Sequence, residues 1–259
     1  SKFVHLHTHS HYSLLDGLAK IDDLLARAKE HGMDAMALTD HGVLYGAIEF
    51  YKKAQKAGVK PILGIETYVA PRDRFSKESE ERYYHLVLLA ENEAGWKNLM
   101  KLSTKAFLEG YYYKPRIDKE LLREHAEGLI GLSACLGGEV NRALMEPDGF
   151  EKAQKIAFEY EEILGKGNFY LELGDHPNTP EAVTLRALVI KLAKETGLPL
   201  VATQDIHYAK PEDNEYHDVL LAVQTGRNLS DTDRLTLKDD DYSVTSSEEM
   251  AEKFKDVPE

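Results

Sequence analysis

Seven short β-rich runs alternate with helical stretches along the chain, and no other feature of the sequence limits the fold as strongly. The runs are 3–8, 35–39, 61–69, 85–90, 129–134, 169–173 and 200–203. Between them lie amphipathic stretches at 21–30, 47–56, 94–108, 151–164 and 180–195. In the last of these, Val183, Leu185, Leu188, Val189, Leu192 and Ala193 supply one apolar helical face. Gly32, Gly58, Gly165 and Gly197 follow helices where a left-handed residue is wanted, and Asp22, Asn92 and Thr179 stand where N-caps belong. Strand units with helical connections predict a parallel α/β architecture, as a closed barrel rather than an open sheet. No Gly-x-Gly-x-x-Gly follows a strand, so a dinucleotide-binding fold has little support.

At 259 residues the chain is one large domain or two small ones. Apolar residues at 42% together with 18 glycines give a globular composition, which excludes a disordered or fibrous chain. No apolar run approaches the ~18 residues that span a bilayer. The start, Ser1-Lys2-Phe3-Val4-His5, lacks a signal-peptide core, and a single cysteine, Cys135, leaves no internal disulfide; both fit a reducing cytoplasm. Two loops stand out. One is 71–82, charged and polar; the other is 110–118, with Tyr111, Tyr112 and Tyr113 ahead of Lys114-Pro115-Arg116. Residues 228–241 are polar and acidic, and a helix-like 247–254 follows.

The 32 basic and 45 acidic residues leave a net charge of −13, which repels a phosphate backbone. A chain of this charge that handles phosphate esters needs another source of attraction, and eleven histidines point to metal ions. Four places carry the chemistry, all at expected strand ends. In His5-Leu6-His7-Thr8-His9, residues two apart on a strand share a face and form an imidazole row. Such a row has few structural uses, whereas imidazole is a common ligand for zinc, manganese and iron. Asp16 follows shortly after. Thr39-Asp40-His41-Gly42 offers a further imidazole, with Asp40 placed to hold that ring. Glu66 closes an apolar strand and His85 opens the next; alone, Glu66 is as good a strand-edge charge as a ligand. Asp205 and His207 share a face beyond the last strand, and Cys135 ends the strand 129–134. In a parallel barrel these ends converge on one mouth. The candidates exceed the four ligands of one tetrahedral zinc. A cluster of two or three metals, with Glu66 bridging, accommodates them, and such clusters hydrolyse phosphoesters.

The pattern His7-x-His9, Asp16-Gly17, Asp40-His41-Gly42, Gly64-x-Glu66, His85, Cys135 and Asp205-x-His207 resembles the polymerase and histidinol phosphatase (PHP) family. Two longer blocks, 40–51 and 109–118, are similar to the form of this domain in bacterial replicative polymerase alpha subunits. The resemblance covers essentially the whole chain. It implies a distorted seven-stranded (β/α)7 TIM-like barrel with a trinuclear metal site at the mouth. It also implies nine metal ligands: His7, His9, Asp16, His41, Glu66, His85, Cys135, Asp205 and His207. Asp205, His207 and Glu66 are expected to act closest to the chemistry. His5 matches the leading acid of the family's first motif and is expected beside the site, as is Asp40. Arg116 and His176 match positions that could contact a substrate phosphate, or else are a solvated arginine and a loop histidine. His11, His31, His125 and His217 are assigned to surface or helix roles.

On this reading residues 1–224 form the barrel domain, and 225–259 form a C-terminal extension leading toward an absent polymerase domain. The expected activity is 3′–5′ exonuclease proofreading by metal-activated water. The cofactors would be two or three divalent ions of zinc, manganese or iron. The partners would be a single-stranded DNA 3′ end or another phosphoester, with the rest of the polymerase alpha subunit and the replisome, and no membrane. The alternatives are a free-standing phosphomonoesterase of the histidinol phosphatase type and a metal-stabilised structural module without catalysis. Polymerase activity is not expected from these residues.

Overall fold

Ile21, Leu24, Leu25 and Ala28 recur at helical spacing, and all are buried on one face of the first helix, α1 (Ile21–Glu30). The computed structural model describes residues 3–78 and 83–257, so the end of the 71–82 loop lies outside the described residues. After α1 come β1 (Ala35–Leu38), α2 (Ala47–Ala57), β2 (Lys60–Val69), β3 (Tyr84–Ala90), α3 (Glu93–Leu108), β4 (Arg116–Ile117), α4 (Lys119–Glu124) and β5 (Leu129–Leu132). The chain continues through α5 (Glu139–Leu144), α6 (Phe150–Leu164), β6 (Phe169–Leu173), α7 (Pro180–Thr196), β7 (Leu200–Ala202), α8 (Asn214–Thr225) and α9 (Ser247–Lys253). The expected helices form with small shifts of their ends. Asn92 caps α3 through Gly95 N–H, whereas Lys20 rather than Asp22 is the N-cap of α1. Asp22 falls in the first turn, where a carboxylate still favours the helix dipole.

The strands form one curled sheet in the order β1-β2-β3-β5-β6-β7, with β4 paired to β2. The expected first strand, 3–8, is instead an extended segment, and it closes the ring between the two edges. Ala37 N–H donates to His5 O and Thr39 N–H to Thr8 O on one side; His9 N–H donates to Ile206 O and Ile206 N–H to His7 O on the other. The result is a distorted (β/α)7 barrel. It is not wholly parallel: β3 runs antiparallel to both β2 and β5. No helix lies in the described part of the β2–β3 connection, so the chain returns at the mouth where it left. His85 therefore reaches that mouth from the start of its strand, where the other strands reach it from their ends.

Alternation along the strands sorts the core. On β3, Leu86 and Leu88 pack outward against the helices, while Val87 and Leu89 join Ala37, Leu132 and Ala134 in a separate cluster that fills the barrel. Ile62, Tyr170 and Val201 pack against this plug. Two residues further toward the mouth on the same strand face stand Gly64 then Glu66 on β2 and Glu172 on β6. A second outer cluster joins Leu24, Met36 and Phe50 to Ile206 and Val244. The C-terminal residues lie on the barrel too: Met250 and Phe254 enter the main core, and Asp240 accepts from Thr179 Oγ at 2.7 Å.

Candidate metal centre

The first motif enters the site through a bend. Leu6 packs on the barrel plug, and the chain bends at His7, so that His7 and His9 also turn inward. This breaks the period of two that an ideal strand would keep. The imidazole row expected of His5, His7 and His9 is thus two residues long. His5 points elsewhere: its Nε2 donates to Thr245 O at 2.9 Å, and burial pushes its pKa down to about 4. It does not touch the site.

The remaining ligand types converge. His7 Nε2 lies 3.1 Å from His9 Nε2, 3.4 Å from Glu66 Oε1 and 3.3 Å from Asp205 Oδ1. His9 Nε2 lies 3.4 Å from Glu66 Oε2 and its ring stacks on His41 at 4.2 Å. Asp16 Oδ2 lies 2.9 Å from His41 Nε2 and 3.1 Å from His207 Nε2. Glu66 sits at the hub, with Oε2 2.6 Å from His41 Nδ1 and Oε1 3.0 Å from His85 Nδ1. Three overlapping groups of donor atoms, each within 4.8 Å, follow among the described residues: His9–His41–His207, His7–His9–Glu66 and His41–Glu66–His85. Cys135 lies on the wall of the adjoining cavity with Asp205 and His207, outside those three groups.

Local backbone sets this up. Gly42, at φ +66°, lets the turn after His41 pass Tyr68, whose ring would lie 2.8 Å from any Cβ there. Asp205 holds φ 53°, a conformation rare for a side chain other than glycine, in the turn that aims its carboxylate at His7 and His9. Asp40 supports the site by a route other than the expected one. It accepts from Ser10 N–H at 2.7 Å and Ser13 Oγ at 3.0 Å, and Ser13 Oγ sits 2.9 Å from His9 Nδ1. Asp40 thus steadies the His9 ring rather than that of His41.

The electrostatics are those of a cage of anions in need of cations. Burial opposes charge on Asp16, but His207 and His41 outweigh it and hold the carboxyl well below its usual range. Burial likewise opposes charge on Glu66, which His41, His85 and His7 keep ionised. In return His41 is pushed up to about 10 and His207 to about 9, burial being more than offset by Glu66 and Asp16 for the first and by Asp16 and Asp205 for the second. Burial, then Asp205 and Glu66, push the Cys135 thiol up. Protons on imidazole stand in here for the charge that metal would bring. Four buried atoms, Asp16 Oδ2, His41 Nδ1, Glu66 Oε2 and Asp205 Oδ1, make no well-directed hydrogen bond among the described residues, although polar neighbours lie close. Their nearest polar neighbours are other ligand-type atoms of the same cluster, as for atoms that share ions. The donor set of nitrogen, carboxylate oxygen and a nearby thiol fits zinc, iron or manganese.

Several site residues escape a reading of the sequence. Glu172 Oε1 lies 2.6 Å from His7 Nδ1 and accepts from Thr203 Oγ at 2.6 Å, which orients the imidazole from behind. Its signal is a lone carboxylate two residues past Tyr170 on an inward strand face. His217 was expected in a surface or helix role. It is on α8, but buried, with Nε2 2.8 Å from Asp16 O. His176 stacks on Tyr242 at 4.2 Å and lines the same cavity as Asp205 and His207, about 310 Å³ in volume. Arg116 corrects the other substrate-binding expectation. It is fully buried, its Nε donates to Gly110 O at 3.2 Å, and its Nη2 donates to Arg74 O and Ser76 O. Its guanidinium ties the backbone at Arg74 and Ser76 to that at Gly110 and is sealed from solvent.

Residues 5–176 match the model of the PHP domain family. The chain is 47% identical over 260 residues to the DNA polymerase III subunit alpha of Treponema pallidum, covering 99% of this chain and 22% of that protein. It is 45% identical to the subunit of the same name from Thermus aquaticus, over 96% of this chain and 21% of that protein. The chain thus spans about a fifth of the length of these relatives. Among solved structures, an amidohydrolase from Chromobacterium violaceum superposes with a TM-score of 0.52 at 15% identity, over 79% of this chain and 87% of that one. A candidate metal-dependent phosphoesterase from Bifidobacterium adolescentis superposes with 0.50 at 13%, over 98% and 96%. At these identities the likeness is one of fold.

Proposed function

The chain belongs to the PHP domain family, and from that premise we propose that it is the metal-dependent phosphoesterase domain of a bacterial DNA polymerase III alpha subunit, acting as a 3′–5′ exonuclease on single-stranded DNA in the cytoplasm. The observation that carries this reading is the set of buried, poorly partnered ligand atoms on Asp16, His41, Glu66 and Asp205. Two or three divalent ions held by His7, His9, Asp16, His41, Glu66, His85, Asp205 and His207, with Cys135 at the edge, would supply Lewis acidity to a phosphoryl oxygen and an attacking water. The chain's own residues prepare for that. Glu66 turns Oε2 to His41 and Oε1 to His85 and would hold ions between them; Glu172 and Ser13 fix the two imidazoles of the first motif. The cavity beyond Asp205, walled in part by Leu173, Leu185 and Val189, is largely apolar and of a size that binds small ligands, enough for a terminal nucleoside. Sequence similarity to polymerase subunits favours residues 225–259 as an extension toward the rest of that protein.

Asp205→Asn tests the reading, because asparagine keeps the shape of the side chain and removes its charge. Turnover of single-stranded DNA with a free 3′ end should fall by at least about a hundredfold. A 3′-blocked strand should resist the wild type, and His125→Ala, at the end of α4, should behave as wild type. Equal turnover by Asp205→Asn and wild type would rule out this site. Brisk cleavage of a phosphomonoester with no DNA turnover would point to the phosphomonoesterase alternative.

A further inference from the structure

Beside the aliphatic cavity, the metal centre opens into a second one of about 420 Å³ that shares Asp16, His41 and His85 with it. Its wall is aromatic, built by Tyr45, Tyr68, Tyr83, Phe107, Tyr111 and Tyr113. Tyr45, Tyr111 and Tyr113 are 58%, 52% and 75% exposed, so they are not core residues. Exposed aromatic rings gathered on one surface mark a binding site more often than chance packing. Tyr113 also sits at φ 58°, in a tight turn closed by Tyr112 N–H on Lys114 O at 3.1 Å. A bulky side chain seldom adopts that backbone conformation, and strain of this kind persists where it positions a group for use. Among the described residues, Lys114 is the one lysine or arginine on the wall, its Nζ 5.4 Å from the Tyr68 ring centre.

We propose that this groove leads a single DNA strand to the metal centre by stacking its bases on Tyr45, Tyr111 and Tyr113, with Lys114 meeting one phosphate. The inference rests on the nuclease reading and names how that substrate is held. A chain with a net charge of −13 cannot gain its affinity from a broad basic surface. Stacking needs no such surface, and it tolerates any sequence because every base has a π-face. A small phosphomonoester would leave the exposed tyrosines without a role.

The test is binding, read by fluorescence anisotropy with the metal-loaded chain and a labelled strand protected by 3′ phosphorothioates. An abasic strand of equal length carries the same phosphates without bases. The intact strand should bind at least about tenfold more tightly than the abasic one, and Tyr111→Leu with Tyr113→Leu should remove most of that difference. The corresponding double phenylalanine variant should keep it. Thermal melts verify that both variants fold. With one phosphate contact, log K against log salt should have a slope of about −0.7. Equal affinity for the two strands, an unchanged leucine variant, or a slope steeper than about −2 would overturn the proposal. Hydrolysis of a small phosphodiester, assayed separately, keeps the two readings apart. Base-dependent binding without any hydrolysis defeats the nuclease alone, and hydrolysis without base-dependent binding defeats the groove alone.

Discussion

The Arg116 guanidinium and the Glu66 carboxylate are both sealed from water, at 0% and 1% exposure, yet their surroundings are opposite in kind. Arg116 Nε and Nη2 donate to backbone carbonyls at Gly110, Arg74 and Ser76, and its Cζ lies 5.2 Å from the Tyr112 ring centre. Glu66 is ringed by imidazoles from three separate segments, and its Oε2 still lacks a well-directed partner. Buried charge alone therefore says little about function, since folding can surround it with the chain's own backbone carbonyls. A buried charge left over after the chain's own hydrogen bonds are counted is the informative one.

That contrast can be broken by taking the metal away. If the leftover atoms around Glu66 are ligands, the ions tie the first motif to β2, β3 and the segment after β7, and binding them stabilises only the folded chain. At ion concentrations near a thousand times Kd the linkage is about 4 kcal/mol, or roughly 10 °C in Tm for a chain of this size. Chelation followed by calorimetry should show that drop, and returning zinc or manganese should restore it. An unchanged melt after elemental analysis has verified metal removal would mean that the cage stands on its protonated imidazoles alone.

The Arg116 side of the comparison makes the converse claim. Arg116→Met removes the side-chain donors of three backbone carbonyls, two of them on buried residues, while keeping an unbranched side chain. It should cost about 3 kcal/mol in urea denaturation and leave kcat per folded molecule unchanged. Normal stability with lost turnover would return Arg116 to the substrate.

These two residues also mark what a sequence can and cannot disclose. The barrel was legible because six of the seven expected runs form strands and the five helical periods form helices without tertiary information, whereas β4 lies in a stretch that reads as a loop. The gathering of His7, His9, Asp16, His41, Glu66, His85, Asp205 and His207 was legible because their types cluster at strand ends. Arg116 was not, since Lys114-Pro115-Arg116 reads as a solvated loop and nothing local tells of the carbonyls that surround it. The direction of β3 turns on the lack of a helix among the described residues of the β2–β3 connection, a weaker signal than a present one. Glu172 hid as a single carboxylate in an apolar strand, and His217 in a helix whose polar start, Asn214-Glu215-Tyr216, gave no hint of burial.

His5 gives the finest test of the distinction, because it belongs to the motif by spacing and to the scaffold by geometry. Its ring is buried against Thr245 O and its pKa is pushed down to about 4, chiefly by burial, so the folded chain keeps it neutral where the unfolded chain protonates it near 6.5. Between those values the unfolded state binds more protons, and stability must rise with pH. Acidification from pH 7.5 to 5 should cost up to about 2 kcal/mol through His5. His5→Gln keeps a donor for Thr245 O and cannot titrate. Its stability, measured in the presence of chelator so that metal release does not intrude, should fall less steeply over the same range by about that amount. Identical slopes for variant and wild type would mean that His5 is already satisfied in both protonation states, and that burial against the C-terminal segment costs its charge nothing.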